Sequence, residues 1–226
     1  MKMTEKKAVV LLSGGLDSTT CMSVAHQQGF ALYALTFDYG QRHRRELESA
    51  GEIAGFYNAA EHRVIKLDSV GGSALTDASI ELPDFQETEG IPVTYVPARN
   101  ILFLSYALGY GEVVEADVIV IGVNAIDYSG YPDCRPEFIQ AFQKVIEVGT
   151  RSGVQGNPIE ILTPLIHLTK GEIVRLAVKN GAPLHLTNSC YRGEEKACGR
   201  CDSCRLRLRG FAQAGVEDPI QYYKRD

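Results

Sequence analysis

Two groups of residues in this chain are spaced for chemistry. The first is Ser13-Gly14-Gly15-Leu16-Asp17-Ser18. Glycines without a Cβ let the backbone close around a ligand. A tight turn that opens a helix also aims free N–H groups and the positive end of the helix dipole at one point. The result is an anion site. Ser13 and Ser18 add hydroxyl donors, and Asp17, set among phosphates, is suited to holding Mg²⁺. Neither the Walker pattern nor the dinucleotide fingerprint is present. The second group is Cys190, Cys198, Cys201 and Cys204, spaced C-x₇-C-x₂-C-x₂-C. Four thiolates this close in sequence read as a tetrahedral zinc site with no open position, hence a structural one. Such a metal contributes about 10–16 kcal/mol of folding free energy. The alternative is an iron–sulfur cluster, but the ferredoxin run continues C-x₃-C-P, whereas Arg205-Leu206-Arg207 follows here.

The elements that position these residues follow from hydrophobic periodicity. Residues 8–12 are a buried strand leading into the glycine turn, and 16–28 a helix stopped at Gly29. Strands are expected at 30–37 and 62–68, the latter alternating and nearer an edge, with a charged amphipathic helix at 42–56 between them. Residues 69–98 hold Gly71, Gly72, Pro83, Gly90, Pro92 and Pro97 and no sustained period, the pattern of a functional loop, read as a lid or dimer contact. Then come a helix at 100–114, a strand at 117–123, a polar loop at 124–135 and a helix at 136–148. A short strand near 159–161 precedes a helix at 169–180, where Thr169 and Glu172 form a capping box. Strands alternating with helices predict an α/β fold around an open parallel five-stranded sheet with right-handed crossovers. The expected division is 1–185 for the nucleotide-binding domain and 186–226 for a metal-binding and helical appendage.

Ligands of open parallel sheets bind beyond the carboxyl ends of the strands. Three loops join the glycine turn on that rim: 38–44, 97–100 and 124–135. All are rich in hydrogen-bonding and aromatic residues, as a site for a planar heterocycle requires. Arg99 is a bidentate donor for phosphate or carboxylate. Tyr128 and Tyr131 offer stacking rings, Asp133 an acceptor and Arg135 a donor. For Asp133 the competing role is to cap the helix that starts near Pro136. His43 belongs to a solvated helix start, and Cys21 and Cys134 read as buried thiols.

Ser13 to Ser18 resembles the S-G-G-x-D-S signature of the PP-loop ATP pyrophosphatases. Phe37-Asp38-Tyr39-Gly40-Gln41-Arg42-His43-Arg44, Val96-Pro97-Ala98-Arg99-Asn100, the stretch from Asp127 to Arg135 and the cysteine spacing extend the likeness. Across almost the whole chain they are similar to the 7-cyano-7-deazaguanine synthases of queuosine-base biosynthesis. The resemblance implies a homodimeric, ATP-dependent carbon–nitrogen ligase with structural zinc. It would convert 7-carboxy-7-deazaguanine and ammonia to the 7-cyano base through adenylated carboxylate and amide. It implies ATP binding by Leu12, Ser13, Gly14, Gly15, Leu16, Asp17, Ser18, Thr19, Thr20, Cys21 and Met22, with Mg²⁺. Asp17, Ser18 and Arg99 would be catalytic. Tyr39, Gln41, Arg99, Asn100, Tyr128, Tyr131, Asp133 and Arg135 would bind the base.

Composition narrows the alternatives. The 226 residues carry a net charge of −5 and a pI near 5.6, so no basic field favours nucleic acid. That weighs against a PP-loop tRNA-modifying enzyme of the thiolation or lysidine type. The elaborate second-substrate loops weigh against a non-catalytic ATP sensor. No apolar run reaches membrane-spanning length. Residues 1–7 lead straight into the first strand without a signal-peptide pattern. A cytoplasmic protein with reduced cysteines is therefore expected. With no length for a glutaminase domain and Lys2 in second position, free ammonia is the expected nitrogen source.

Overall fold

A computed structural model describes residues 5–42, 44–85, 90–126, 130–192 and 195–223. The strand β1 (Lys7–Leu11) is central, and four of its five residues are buried. It feeds α1 (Leu16–Gln27), β2 (Ala31–Asp38), α2 (Arg45–Phe56) and β3 (Glu61–Lys66). After the irregular segment come α3 (Arg99–Val114), β4 (Val118–Val120), α4 (Pro136–Gly149), the short α5 (Arg151–Val154), β5 (Glu160–Leu162), α6 (Lys170–Lys179) and α7 (Asp202–Ala214). The five strands form one sheet in the order β3-β2-β1-β4-β5, every pairing parallel. β3 lies at the edge, as its alternation predicts.

Side chains alternate across a strand, and β1 divides the core accordingly. Ala8, Val10 and Leu12 pack on one face with Met22 of α1, Ile53 of α2, Ile173 of α6 and Phe211 of α7. Val9 and Leu11 face Leu104 of α3 and Phe142 and Ile146 of α4 on the other. The chain reverses strand order between β1 and β4, so the switch point lies at the end of β1, where the phosphate loop begins. Gly122 beyond β4 permits this closeness, because a Cβ there would meet the Asp17 carbonyl carbon at 3.2 Å and the Ser18 nitrogen at 3.3 Å.

The segment from 69 to 98 has no regular element among its described residues, yet it has a core of its own in Ala74, Leu75, Leu82 and Val96. It docks at both ends: Arg42 N–H donates to the Leu75 carbonyl at 3.1 Å and Phe85 N–H to that of Arg200 at 3.0 Å. The Thr169–Glu172 capping box is present in full. Among the described residues no helix is long and apolar enough to cross a membrane.

Candidate active site

The phosphate loop is shaped by two glycines with different neighbours. Gly14 has φ +84°, and a Cβ there would lie 2.3 Å from the Glu46 carbonyl oxygen. Its bareness therefore seats the loop on α2. Gly15 is the N-cap of α1 and supplies no side-chain cap, so the first amides of the helix are open to other partners. The Leu16 amide and two loop amides that precede the helix find hydroxyls. Ser13 N–H donates to Ser18 Oγ at 3.2 Å, Gly15 N–H to Ser13 Oγ at 3.3 Å and Leu16 N–H to Ser189 Oγ at 3.3 Å.

A cavity of 210 Å³ opens from this loop. Ser13, Gly15, Leu16, Asp17 and Ser18 form its floor, and Tyr39, Gln41, Arg99, Asn100 and Tyr131 line the rest. The structure thus brings residues from four separate loops into one space. Phe37 and Phe103 stack there with centroids 4.1 Å apart, and Tyr39 meets Phe103 edge-on at 5.4 Å. Arg99 opens α3 directly after Ala98, whose φ of +55° turns the chain into the helix. Its Nη1 donates to Tyr39 Oη at 3.4 Å. Gln41 is engaged with the backbone: its Oε1 accepts from Tyr39 N–H at 2.8 Å and its Nε2 donates to the Phe37 carbonyl at 3.0 Å.

Other expected residues lie elsewhere. Thr19, Thr20, Cys21 and Met22 are fully buried and do not line the cavity. The two threonine hydroxyls bond back to the Gly15 and Leu16 carbonyls, because one turn into α1 the chain has already entered the core. Gly14 contributes through backbone position, while Leu12, buried in the core, also reaches the cavity wall. Asp133 is buried outside the cavity wall. Its Oδ2 accepts from the Asn100 N–H at 3.0 Å, so it caps α3 and not the adjacent helix α4. Asn100 Nδ2 completes the link, donating to the Asp133 carbonyl at 2.9 Å. Arg135 is exposed and off the cavity. Tyr128, with Asp127 and His43, lies outside the described residues. Burial, reinforced by Asp133, pushes the Cys134 thiol up to about 11, so this cavity-lining sulfur is neutral at physiological pH.

Lys170 was missing from the sequence reading. It is 4% exposed, and its Nζ donates to both Asp17 oxygens, at 3.0 and 2.8 Å. The signal was the same strand-end rule applied to the other loops: Lys170 starts the helix that follows β5. Gly210 of α7 makes room for it, since a Cβ there would meet Lys170 Cγ at 2.5 Å. Gly171 does the same for Gln213, at 2.7 Å. The glycine pair lets α6 and α7 pack closely and fixes the lysine stem. Glu46 and Asp17 are the carboxylates on the cavity wall. Mg²⁺ takes one or two carboxylates plus phosphate oxygens, and each Asp17 oxygen keeps a lone pair beyond its lysine bond, so the chemistry of Asp17 suits that ion.

The four cysteine sulfurs lie within 4.8 Å of one another, with Cys198 and Cys204 at 3.9 Å. A tetrahedral ion with Zn–S bonds of about 2.3 Å sets S–S edges of about 3.8 Å, so the cluster fits. Backbone N–H groups of Cys198, Arg200 and Cys201 point at its sulfurs, at 3.4, 3.5 and 3.4 Å. Hydrogen bonds from Cys201 and Cys204 also draw the Cys190 thiol well below the ordinary thiol range. Beside the cluster, Arg207 is 2% exposed and grips Asp218 through Nε and Nη2, both at 2.8 Å.

Comparison with known proteins now has a site to refer to. Residues 7–215 match the family described as queuosine biosynthesis protein QueC. The chain belongs to the QueC family. It is similar to the 7-cyano-7-deazaguanine synthase of Desulfitobacterium hafniense, 70% identical over 96% of this chain and 93% of the relative. That of Acetivibrio thermocellus is 64% identical over 97% and 99%, and that of Pseudomonas putida 54% over 98% and 100%. Among solved structures, a 4-thiouridine synthetase–RNA complex with bound ATP superposes with a TM-score of 0.51 at 19% identity, covering 93% of this chain and 50% of the other. At that distance the QueC chain shares the fold.

Proposed function

We propose that this QueC-family protein is an ATP-dependent ligase that converts 7-carboxy-7-deazaguanine and ammonia to 7-cyano-7-deazaguanine. The observation that carries the reading is the single cavity joining an amide-rich phosphate loop to an aromatic slot with Arg99 beside it. A carboxylate resists ammonia because its carbon is electron-rich and its oxygen leaves poorly. Attack of that oxygen on the α-phosphorus of ATP expels pyrophosphate and forms an acyl adenylate. Ammonia then displaces AMP to give the amide. A second adenylation, at the amide oxygen, lets that oxygen leave as AMP while two protons are lost and the nitrile forms. The chain's part is to hold the two reactants in line and to meet the charge that grows on pyrophosphate with loop amides and Lys170. Asp17 and Glu46 are the residues that would hold Mg²⁺, which would supply further charge neutralisation there. Arg99 and Asn100, with Tyr39 and Tyr131, form the base side.

Zinc is the metal assigned to the cysteine cluster, on the strength of the all-sulfur tetrahedral fit. In this reading the segment from 186 onward is a metal-ordered appendage of the nucleotide domain, and the protein works in the cytoplasm. The homodimer contact is assigned to exposed apolar side chains of α3, Ile101, Leu102 and Tyr106, which are 44%, 44% and 40% exposed.

Purified protein with ATP, ammonium and the 7-carboxy base should give the nitrile by mass spectrometry. Omitting ammonium should stop nitrile formation. Pyrophosphate release stimulated by tRNA and indifferent to the base would sink the proposal and favour a tRNA-modifying enzyme.

A further inference from the structure

Three amides of the phosphate loop are bonded to serine hydroxyls, and the sequence motif accounts for only two of those serines. The third, Ser189, comes from a turn 173 residues after its partner Leu16. It lines the same cavity as Ser13 and Ser18. Its position is over-determined. The preceding residue, Asn188, donates its N–H to the Gly14 carbonyl at 2.9 Å, so the turn lies against the loop backbone. The Asn188 side chain accepts from the Cys190 N–H at 3.0 Å through Oδ1, which fixes the turn to the first cysteine of the metal cluster. Gly15 faces the same turn: a Cβ there would lie 3.5 Å from Ser189 Oγ and 3.6 Å from the Asn188 carbonyl oxygen. From the other side, Arg45 Nη1 of α2 donates to the Glu195 carbonyl at 2.7 Å and holds the cysteine loop down on the helix that seats Gly14.

A hydroxyl accepts from an amide in one direction and donates in another. Ser189 Oγ, bonded to the Leu16 N–H, keeps its own hydrogen for an anion arriving at that amide. Ser13 Oγ and Ser18 Oγ, which accept from the other two amides, are 3.0 Å apart and bonded to each other, and Ser18 Oγ also donates to the Gly15 carbonyl at 3.1 Å. We infer that Ser189 is the third hydroxyl ligand of the nucleotide's phosphates, held in register by the Asn188–Cys190 turn. This rests on the ATP-binding reading above and adds to it a residue that the S-G-G-x-D-S motif does not contain. It also assigns the cysteine cluster a second task, since the centre that orders the appendage sets the position of a phosphate donor.

Calorimetry of the metal-replete protein with Mg·ATP and with AMP, which lacks the β- and γ-phosphates, tests it. Ser189→Ala should weaken ATP binding about tenfold, the usual scale for a hydrogen bond to a charged group, and leave AMP binding, metal content and melting temperature unchanged. Ser189→Thr, which keeps the hydroxyl, should restore ATP affinity. Asn188→Ala should weaken ATP in the same direction by a smaller factor. Equal ATP affinity in wild type and Ser189→Ala, or parallel losses of ATP and AMP binding, would overturn the assignment while leaving the proposed reaction standing. A wild-type protein that binds no ATP would overturn both.

Discussion

In the phosphate half of the cavity the polar atoms are backbone amides, bonded at 3.2–3.3 Å to serine hydroxyls. In the base half the polar atoms are bonded to one another, and tightly. Thr94 Oγ1 and Tyr131 Oη are 2.6 Å apart, Gln41 accepts from Tyr39 N–H at 2.8 Å, and Asp133 accepts from Asn100 N–H at 3.0 Å. The difference teaches how each half recognises its ligand. Under the proposed function, these long bonds from the loop and the uncapped helix end would exchange readily for phosphate oxygens, so the first half would bind with its hydrogen bonds. Short internal bonds hold three loops in place, so under the proposed function the second half would bind mainly with shape: a slot between rings, with Arg99 as its charged edge.

Lys170→Met gives the largest effect expected from this contrast. It removes the cation that meets both Asp17 oxygens, and turnover should fall about 10²–10³-fold, the usual cost of losing one preorganised electrostatic donor. The KM for the base should barely move. A base KM that rises as steeply as turnover falls would merge the two halves into one.

Asp133→Ala comes next. Loss of the cap on α3 should cost about 1 kcal/mol of stability, a fall in Tm of about 2–4 °C for a chain this size, with a severalfold rise in base KM as Asn100 loosens. A hundredfold KM change at unaltered Tm would mean that Asp133 faces the base directly.

Cys134→Ser should do least. With burial raising its pKa to about 11, the thiol is almost wholly protonated near neutrality, so little thiolate is available there. Turnover should stay within about threefold of wild type, the scale of a lost weak contact. Rapid inactivation by iodoacetamide at neutral pH, blocked by the base and absent from Cys134→Ser, would establish a nucleophile there.

The alternation of strands and helices from β1 to β3 was readable because burial leaves a local imprint on the chain. The same imprint misled at β4. Residues 121 and 123 are apolar and buried, but the ladder ends at Val120, because an apolar run reports burial and not pairing. The expected helix from 42 begins at Arg45, since the Arg42 N–H is already bonded to Leu75. Within the site, the phosphate loop was legible as six consecutive residues. Lys170 and Ser189 were not, because their meaning arises only where distant segments meet. Asp133 shows the same limit from the other direction: its sequence position offers an acceptor for the base or, in competition, a cap for α4, while the structure pairs it with Asn100, 33 residues back.

The Lys170–Asp17 contact closes a loop of 153 residues. Closure over such a length comes late in folding, after local elements have formed. During synthesis, β1, α1 and β2 leave the ribosome with the Asp17 carboxylate unpaired, long before α6 exists. A nascent chain stopped short of residue 170 holds the whole S-G-G-x-D-S motif and still lacks both its counter-charge and its third hydroxyl. Under the proposed function, competence for nucleotide would thus arrive with the last quarter of the chain, and ATP would be a ligand that distinguishes finished molecules from fragments.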